Sequence, residues 1–142
     1  MVGDGPQFKK LKAKFPDTVF VGFQSGEPLA QYVAAADVLV FPSLTDTFGI
    51  VLLDALASGV PVAAFPVTGP LDVITSDKVG KLDDNLKKAI TEALLLDGQD
   101  CRNYALNYSW TQCTEQFFSH LVPAFAEIKQ PESDFVAEHY IK

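Results

Sequence analysis

The stretch "VFPSLTDTFGIVLLDALASGVPVAAFP", Val40 to Pro66, constrains the fold more than any other part of the chain. Val38 to Phe41 is a short apolar run between Asp37 and Pro42, the pattern of a buried strand. Pro42 to Thr47 carries turn chemistry, with Pro, Ser, Thr and Asp close together. Ile50, Leu53, Leu56 and Ala57 then recur at helical spacing. Gly59 supplies a helix stop, and Pro61 stands where a helix rarely continues. Val62 to Phe65 is a second apolar run of strand length. A strand, a helical crossover and a second strand, both strands apolar throughout, make the building block of a parallel sheet. The expected fold class is therefore α/β, a Rossmann-like parallel sheet flanked by helices.

The same stretch places acid chemistry at the carboxyl end of a strand. Asp46 lies in the loop and Asp54 falls inside the helix. Thr47, Phe48 and Gly49 open that helix, where unpaired amides and the helix dipole favour a phosphate. Gly49 lacks a side chain, so a ligand can approach the backbone there. Open α/β sheets bind ligands outside the carboxyl ends of their strands. One carboxylate near a sugar, a second near a ribose and amides between them suit a nucleotide sugar. A plainer use stays open, with Asp46 as a helix cap and Asp54 as a solvated helix residue.

As a whole, "PSLTDTFGIVLLDALASGVPV" resembles the donor-binding signature of family-4 retaining glycosyltransferases, two-domain enzymes of GT-B architecture. Their pattern is Pro–Ser, a few residues, acid–small–Phe–Gly, and a second acid separated from the first by seven residues. The resemblance runs from "VGDGP" at Val2 to "SW" at Ser109–Trp110. It departs from the family by carrying Asp at both acidic positions, where Glu is commoner. It implies that Asp46 contacts the donor sugar as the catalytic acidic residue. Amides of Thr47, Phe48, Gly49, Ile50 and Val51 would meet the diphosphate, and Asp54 the ribose hydroxyls. Backbone groups near Gly22, Phe23 and Gln24 would meet the nucleobase. The implied domain layout is a donor-binding domain over residues 1–128 and a polar tail over 129–142.

The remaining sequence sets bounds. The chain of 142 residues fits one domain with a real core. A formal net charge of −7 argues against nonspecific nucleic-acid binding and against a basic membrane-docking surface. Cys101 and Cys113 show no metal-ligand spacing and read as reduced thiols of a cytosolic protein. No apolar run is long enough to span a bilayer. A full-length enzyme of the family could still work at the inner face of the membrane.

Phe8, Leu11 and Phe15 mark a helix with Lys9, Lys10, Lys12 and Lys14 on its wet side. Thr18 to Val21 reads as a strand ending at Gly22 and Phe23. Leu29, Tyr32, Val33 and Ala36 form the buried stripe of the next helix, with Ser25 or Glu27 near its cap. Thr68, Gly69 and Pro70 make a loop on the ligand side, and Asp72 caps a short helix or faces an acceptor. Val79 to Leu82 reads as a short edge strand, and Asp83 or Asp84 as the cap of a helix whose stripe is Leu86, Ile90, Ala93 and Leu94. Ser109 caps a last helix with Trp110, Cys113, Phe117 and Leu121 on one face. Some of Phe117, Phe118 and Phe125 are expected to be exposed, and His120 to be structural.

Family enzymes also carry an amino-terminal acceptor domain, and an arginine and a lysine that hold the donor diphosphate. Both would precede Met1, as would the first strand of the sheet. Electrostatic stabilisation of the leaving group is normally the largest catalytic term, so the isolated chain is expected to be inactive. The resemblance thus implies the donor half of a transferase moving a hexose from a UDP-sugar or GDP-mannose to a lipid or polysaccharide with retention. Its partners would be the nucleotide sugar and the missing domain or another chain, including a second copy. No metal or further cofactor is implied. The alternatives are a noncatalytic nucleotide-sugar-binding or assembly module, and a sugar-nucleotide 2-epimerase of the same architecture.

Overall fold

The computed structural model describes residues 1–122. Helices α1 (Phe8–Lys14) and α2 (Gly26–Ala34) precede strand β1 (Leu39–Phe41), helix α3 (Ile50–Ala57) and strand β2 (Val62–Ala64). Helix α4 (Pro70–Val73), strand β3 (Gly80–Leu82) and helices α5 (Leu86–Ala93), α6 (Gly98–Ala105) and α7 (Trp110–Ser119) follow. The strands pair in parallel in the order β1-β2-β3, with Leu39 opposite Val62 and Val62 opposite Gly80. The expected class holds: a parallel sheet with helical crossovers.

Side-chain alternation along β2 divides the core into two layers. Val62 and Ala64 face Leu52 and Leu56 of α3, Val73 of α4 and Cys101 of α6. Ala63 faces the other way, onto Ala89 and Ala93 of α5. Every residue of β2 is fully buried, because helices cover both faces and strands flank both edges. Each large apolar side chain in this core contributes roughly 1.5–3 kcal/mol of burial.

Helix α3 ends as its sequence dictates. Gly59 adopts φ +76°, its amide donates to the Leu56 carbonyl, and the Val60 amide reaches back to Ala55. This pair of bonds is a Schellman stop. The buried face of α3 is not the expected stripe. Leu52, Ala55 and Leu56 are buried, whereas Ile50 is 67% exposed. Nearly every residue from Ile50 to Ala57 is apolar, so periodicity alone left the helix phase undetermined, and the sheet fixed it.

Three further expectations are corrected. Thr18 to Val21 forms no strand; its end makes only an isolated parallel bridge, Gly22 with Val2, outside the three-stranded sheet. Helix α2 buries no residue, and Tyr32 is 45% exposed rather than core. Asn85, not Asp83 or Asp84, caps α5 by accepting from the Lys88 amide. Asp83 accepts from the Asn85 amide at 2.8 Å and pairs with the Lys88 ammonium at 2.6 Å. That pairing holds its carboxyl below the usual carboxylate range.

Met1 to Ser109 forms one compact unit, and the chain from Trp110 belongs to a second. Within the second, α7 buries no residue, and Trp110, Phe117 and Phe118 are exposed as expected for the two phenylalanines. Phe125 and the polar tail lie outside the described residues.

Candidate functional site

The loop from Pro42 to Gly49 is shaped by its own short polar side chains. Ser43 donates its hydroxyl to the Thr45 carbonyl at 2.6 Å and accepts weakly from the Thr45 amide. One carboxylate oxygen of Asp46 accepts from the Thr47 amide at 2.7 Å. The helix cap is Gly49, in the left-handed conformation with no side-chain cap bond. The capping use of Asp46 is thereby corrected: its carboxylate is taken by the next amide, three residues before the cap.

Four consecutive amides, those of Phe48, Gly49, Ile50 and Val51, find no backbone acceptor among the described residues. Those of Gly49, Ile50 and Val51 are the orphan donors a helix start leaves, here not covered by a side-chain cap, and that of Phe48 lies one residue before the cap. Beside them, the face of α3 opposite the core carries Ile50, Val51 and Asp54, all exposed. Ile50 and Asp54 are one turn apart and so lie on the same side. The Asp54 carboxylate has no hydrogen bond or ion pair among the described residues, while Asp46 is half-buried. Ile50 and Val51 thus present apolar surface beside amides that have no backbone acceptor and an acid that has no ion-pair partner among the described residues.

The loop after β2 meets the loop after β1. Gly69, φ +89° and ψ −76°, starts α4 against Asp46 and Phe48; a β-carbon on Gly69 would lie 3.2 Å from the Asp46 β-carbon. Asp72 sits within α4 and does not cap it; the cap position is Gly69. Behind α4, the Tyr104 hydroxyl donates to the Val73 carbonyl at 2.8 Å and pairs with the Thr75 hydroxyl at 2.7 Å. Its neighbour Tyr108 has its hydroxyl pushed up to about 12 by burial and by the bond to Tyr104. The arrangement thus joins two loops at the carboxyl ends of adjacent parallel strands, where such sheets bind ligands.

Gly22, Phe23 and Gln24 are organised separately. Gln24 donates its carboxamide to the Val21 carbonyl at 2.9 Å, Gly22 has φ +75°, and Phe23 is 74% exposed. No hydrogen bond among the described residues joins this turn to Asp46–Asp54. No cluster of three or more His, Cys, Asp or Glu side chains capable of holding a metal occurs among the described residues. No described helix is long and apolar enough to cross a membrane.

Residues 1–96 match the family described as "Glycosyl transferases group 1". The chain belongs to the group 1 glycosyltransferases. It is 33% identical over 129 residues to the sulfoquinovosyl transferase SQD2 of Arabidopsis thaliana, covering 80% of this chain and 25% of that protein. It is 33% identical over 130 residues to a GDP-mannose-dependent alpha-mannosyltransferase of Mycobacterium tuberculosis, covering 84% of this chain and 34% of that one. Among solved structures, the pneumococcal O-GlcNAc transferase GtfA in complex with UDP and GlcNAc matches with TM-score 0.66 at 18% identity, over 83% of this chain and 28% of that one. At that identity the likeness shows the fold. This glycosyltransferase chain therefore spans a quarter to a third of the length of these two curated relatives.

Sequence reading brought Asp46 through Asp54 to one helix start. It missed that Gly69 packs on them. The only signal was that Gly69 follows an apolar strand, on the ligand side of the sheet.

Proposed function

We propose that this chain is the nucleotide-sugar-binding part of a retaining hexosyltransferase, acting on a lipid or polysaccharide acceptor. One observation carries the reading. The uncapped amides of Phe48 to Val51 lie on the same helix start as the half-buried Asp46 and the exposed, unpaired Asp54. Phe48 to Val51 amides would receive the diphosphate, Asp54 the ribose hydroxyls and Asp46 the sugar. The Thr47 amide, also expected on the diphosphate, donates to Asp46 and would join them only by leaving that carboxylate. Gly22, Phe23 and Gln24 would border the base. The GDP-mannose dependence of the mycobacterial relative supports a nucleotide-sugar donor. UDP is the first base to test, on the family resemblance, and GDP the second. The donor module would occupy residues 1–128 of an enzyme working in the cytoplasm or at the inner membrane face. Acceptor binding and the cations that neutralise the leaving diphosphate would come from polypeptide beyond these residues or from another chain.

The test is calorimetric titration of the chain with UDP and GDP, beside Asp54→Ala. Loss of a hydrogen bond to a charged group costs roughly 1 kcal/mol or more, so Asp54→Ala should weaken binding about fivefold or more. A folded chain that binds neither nucleotide at millimolar concentration would refute the reading and leave a noncatalytic assembly module.

A further inference from the structure

We infer that Gly69 is a positioning residue: its missing side chain sets where the Asp46 carboxylate and the Phe48 amide stand. The inference rests on the donor-site reading above. A β-carbon at Gly69 would lie 3.2 Å from the Asp46 β-carbon, 3.3 Å from the Phe48 carbonyl carbon and 3.4 Å from the Phe48 nitrogen. At Gly49, on another side of the same carboxylate, a β-carbon would lie 3.1 Å from Asp46 Oδ2. Asp46 is thus fitted between two glycine backbones, both at positive φ.

The two sides of the Gly69 contact are unequal in stiffness. Behind Gly69, the amides of Asp72 and Val73 donate to its carbonyl, Val73 is buried, and Tyr104 holds the Val73 carbonyl. Facing it, the Asp46 loop is held by bonds within itself and is largely exposed. A methyl at position 69 is strained by the positive φ itself, and its contacts are relieved on the looser side. Asp46 and Phe48 therefore shift by a few tenths of an ångström, while the Gly69–Val73 and Val73–Tyr104 bonds hold the body of α4. Such a shift misaims an amide that must meet a diphosphate oxygen and a carboxylate that must meet the sugar. Small misplacements of positioned groups cost binding and catalysis steeply, here about tenfold in nucleotide affinity.

The test uses the full chain as wild type, Gly69→Ala, Asp46→Ala and the double variant. Residual dipolar couplings of the Thr47 and Phe48 amides should change in Gly69→Ala, while those of α4, α5 and α6 hold. Calorimetry should show UDP binding about tenfold weaker. With UDP-glucose, the losses from Gly69→Ala and Asp46→Ala should sum to less than additive, the mark of one residue acting through the other. A general loss of stability would give additive effects and would overturn the inference. So would unchanged Thr47 and Phe48 couplings, or wild-type nucleotide affinity in Gly69→Ala. A wild-type chain that binds neither UDP nor GDP overturns the donor-site reading itself, a separate result. Should Gly69→Ala not fold, Tyr104→Phe carries the test: slackening the support behind Gly69 should weaken UDP binding, and unchanged affinity overturns the inference.

Discussion

Replacing Gly98 by Ala separates two opposed effects by sign. Gly98 opens α6, whose cap Asp97 accepts from the Gln99 amide at 2.8 Å. Helix propensity alone favours Ala by up to about 1 kcal/mol, and a stiffer unfolded chain adds a few tenths. Against this, a β-carbon at position 98 would lie 2.5 Å from the Gly59 carbonyl oxygen, where ordinary contact starts at 3.4 Å. Neither wall is a flexible side chain. Gly59 is fixed by the Schellman bonds, and the Arg102 guanidinium of α6 donates to the Ala57 carbonyl at the end of α3. Helices α3 and α6 must then separate, and overpacking of this kind costs roughly 1–3 kcal/mol. A 2.5 Å approach to backbone that cannot swing aside belongs at the upper end of that range, so the contact wins, for a net loss of about 1–2 kcal/mol. That corresponds to a fall of roughly 4–16 °C in Tm for a unit of this size. Urea titration and a thermal scan of both proteins measure it. A Gly98→Ala protein as stable as wild type, or more so, would refute the argument that backbone contact sets the α3–α6 spacing.

Thiol chemistry should divide the two cysteines. Cys101 is buried, and burial pushes its thiol up to about 11, so a disulfide reagent at pH 8 should label Cys113 alone until denaturant is added. Labelling of Cys101 in the folded chain would contradict the core packing. The Asp83–Lys88 pair gives a pH prediction. The Lys88 hydrogen bond lowers the Asp83 carboxyl from 3.8, so its contribution is present above that value and fades as pH falls through the lower folded midpoint. Carboxyl NMR titration should place Asp83 below 3.8 and return it toward that value in Lys88→Ala. No change on that substitution would show that the ion pair does not form in solution.

The strands β1 and β2 and the stop of α3 were legible in sequence because each rests on local chemistry. A strand in a covered parallel sheet is apolar on both faces, as β2 is, and a glycine before Val60 and Pro61 ends a helix. β1 is a strand as expected but not a buried one, because it lies at the sheet edge and leaves Val40 exposed. The cap of α5 was not legible, since Asp83, Asp84 and Asn85 are all good caps and only the backbone turn chooses among them. The strand expected over Thr18 to Val21 failed for a different reason. Strand pairing needs a neighbour in register, and these residues find only Met1 to Gly3.

The candidate site divides in the same way. Sequence by itself determined that Asp46, the amides after it and Asp54 share one loop and one helix start, because they lie within nine consecutive residues. It determined the family too, since the acid–Phe–Gly spacing is a property of the chain order. Only the tertiary structure decided which face of α3 is uncovered, because an almost wholly apolar helix acquires its phase from the sheet it packs against. Only the tertiary structure set Gly69 against Asp46. Parallel pairing of β1 with β2 brings the loops at their carboxyl ends together, and that closeness is written in the pairing, not in either loop.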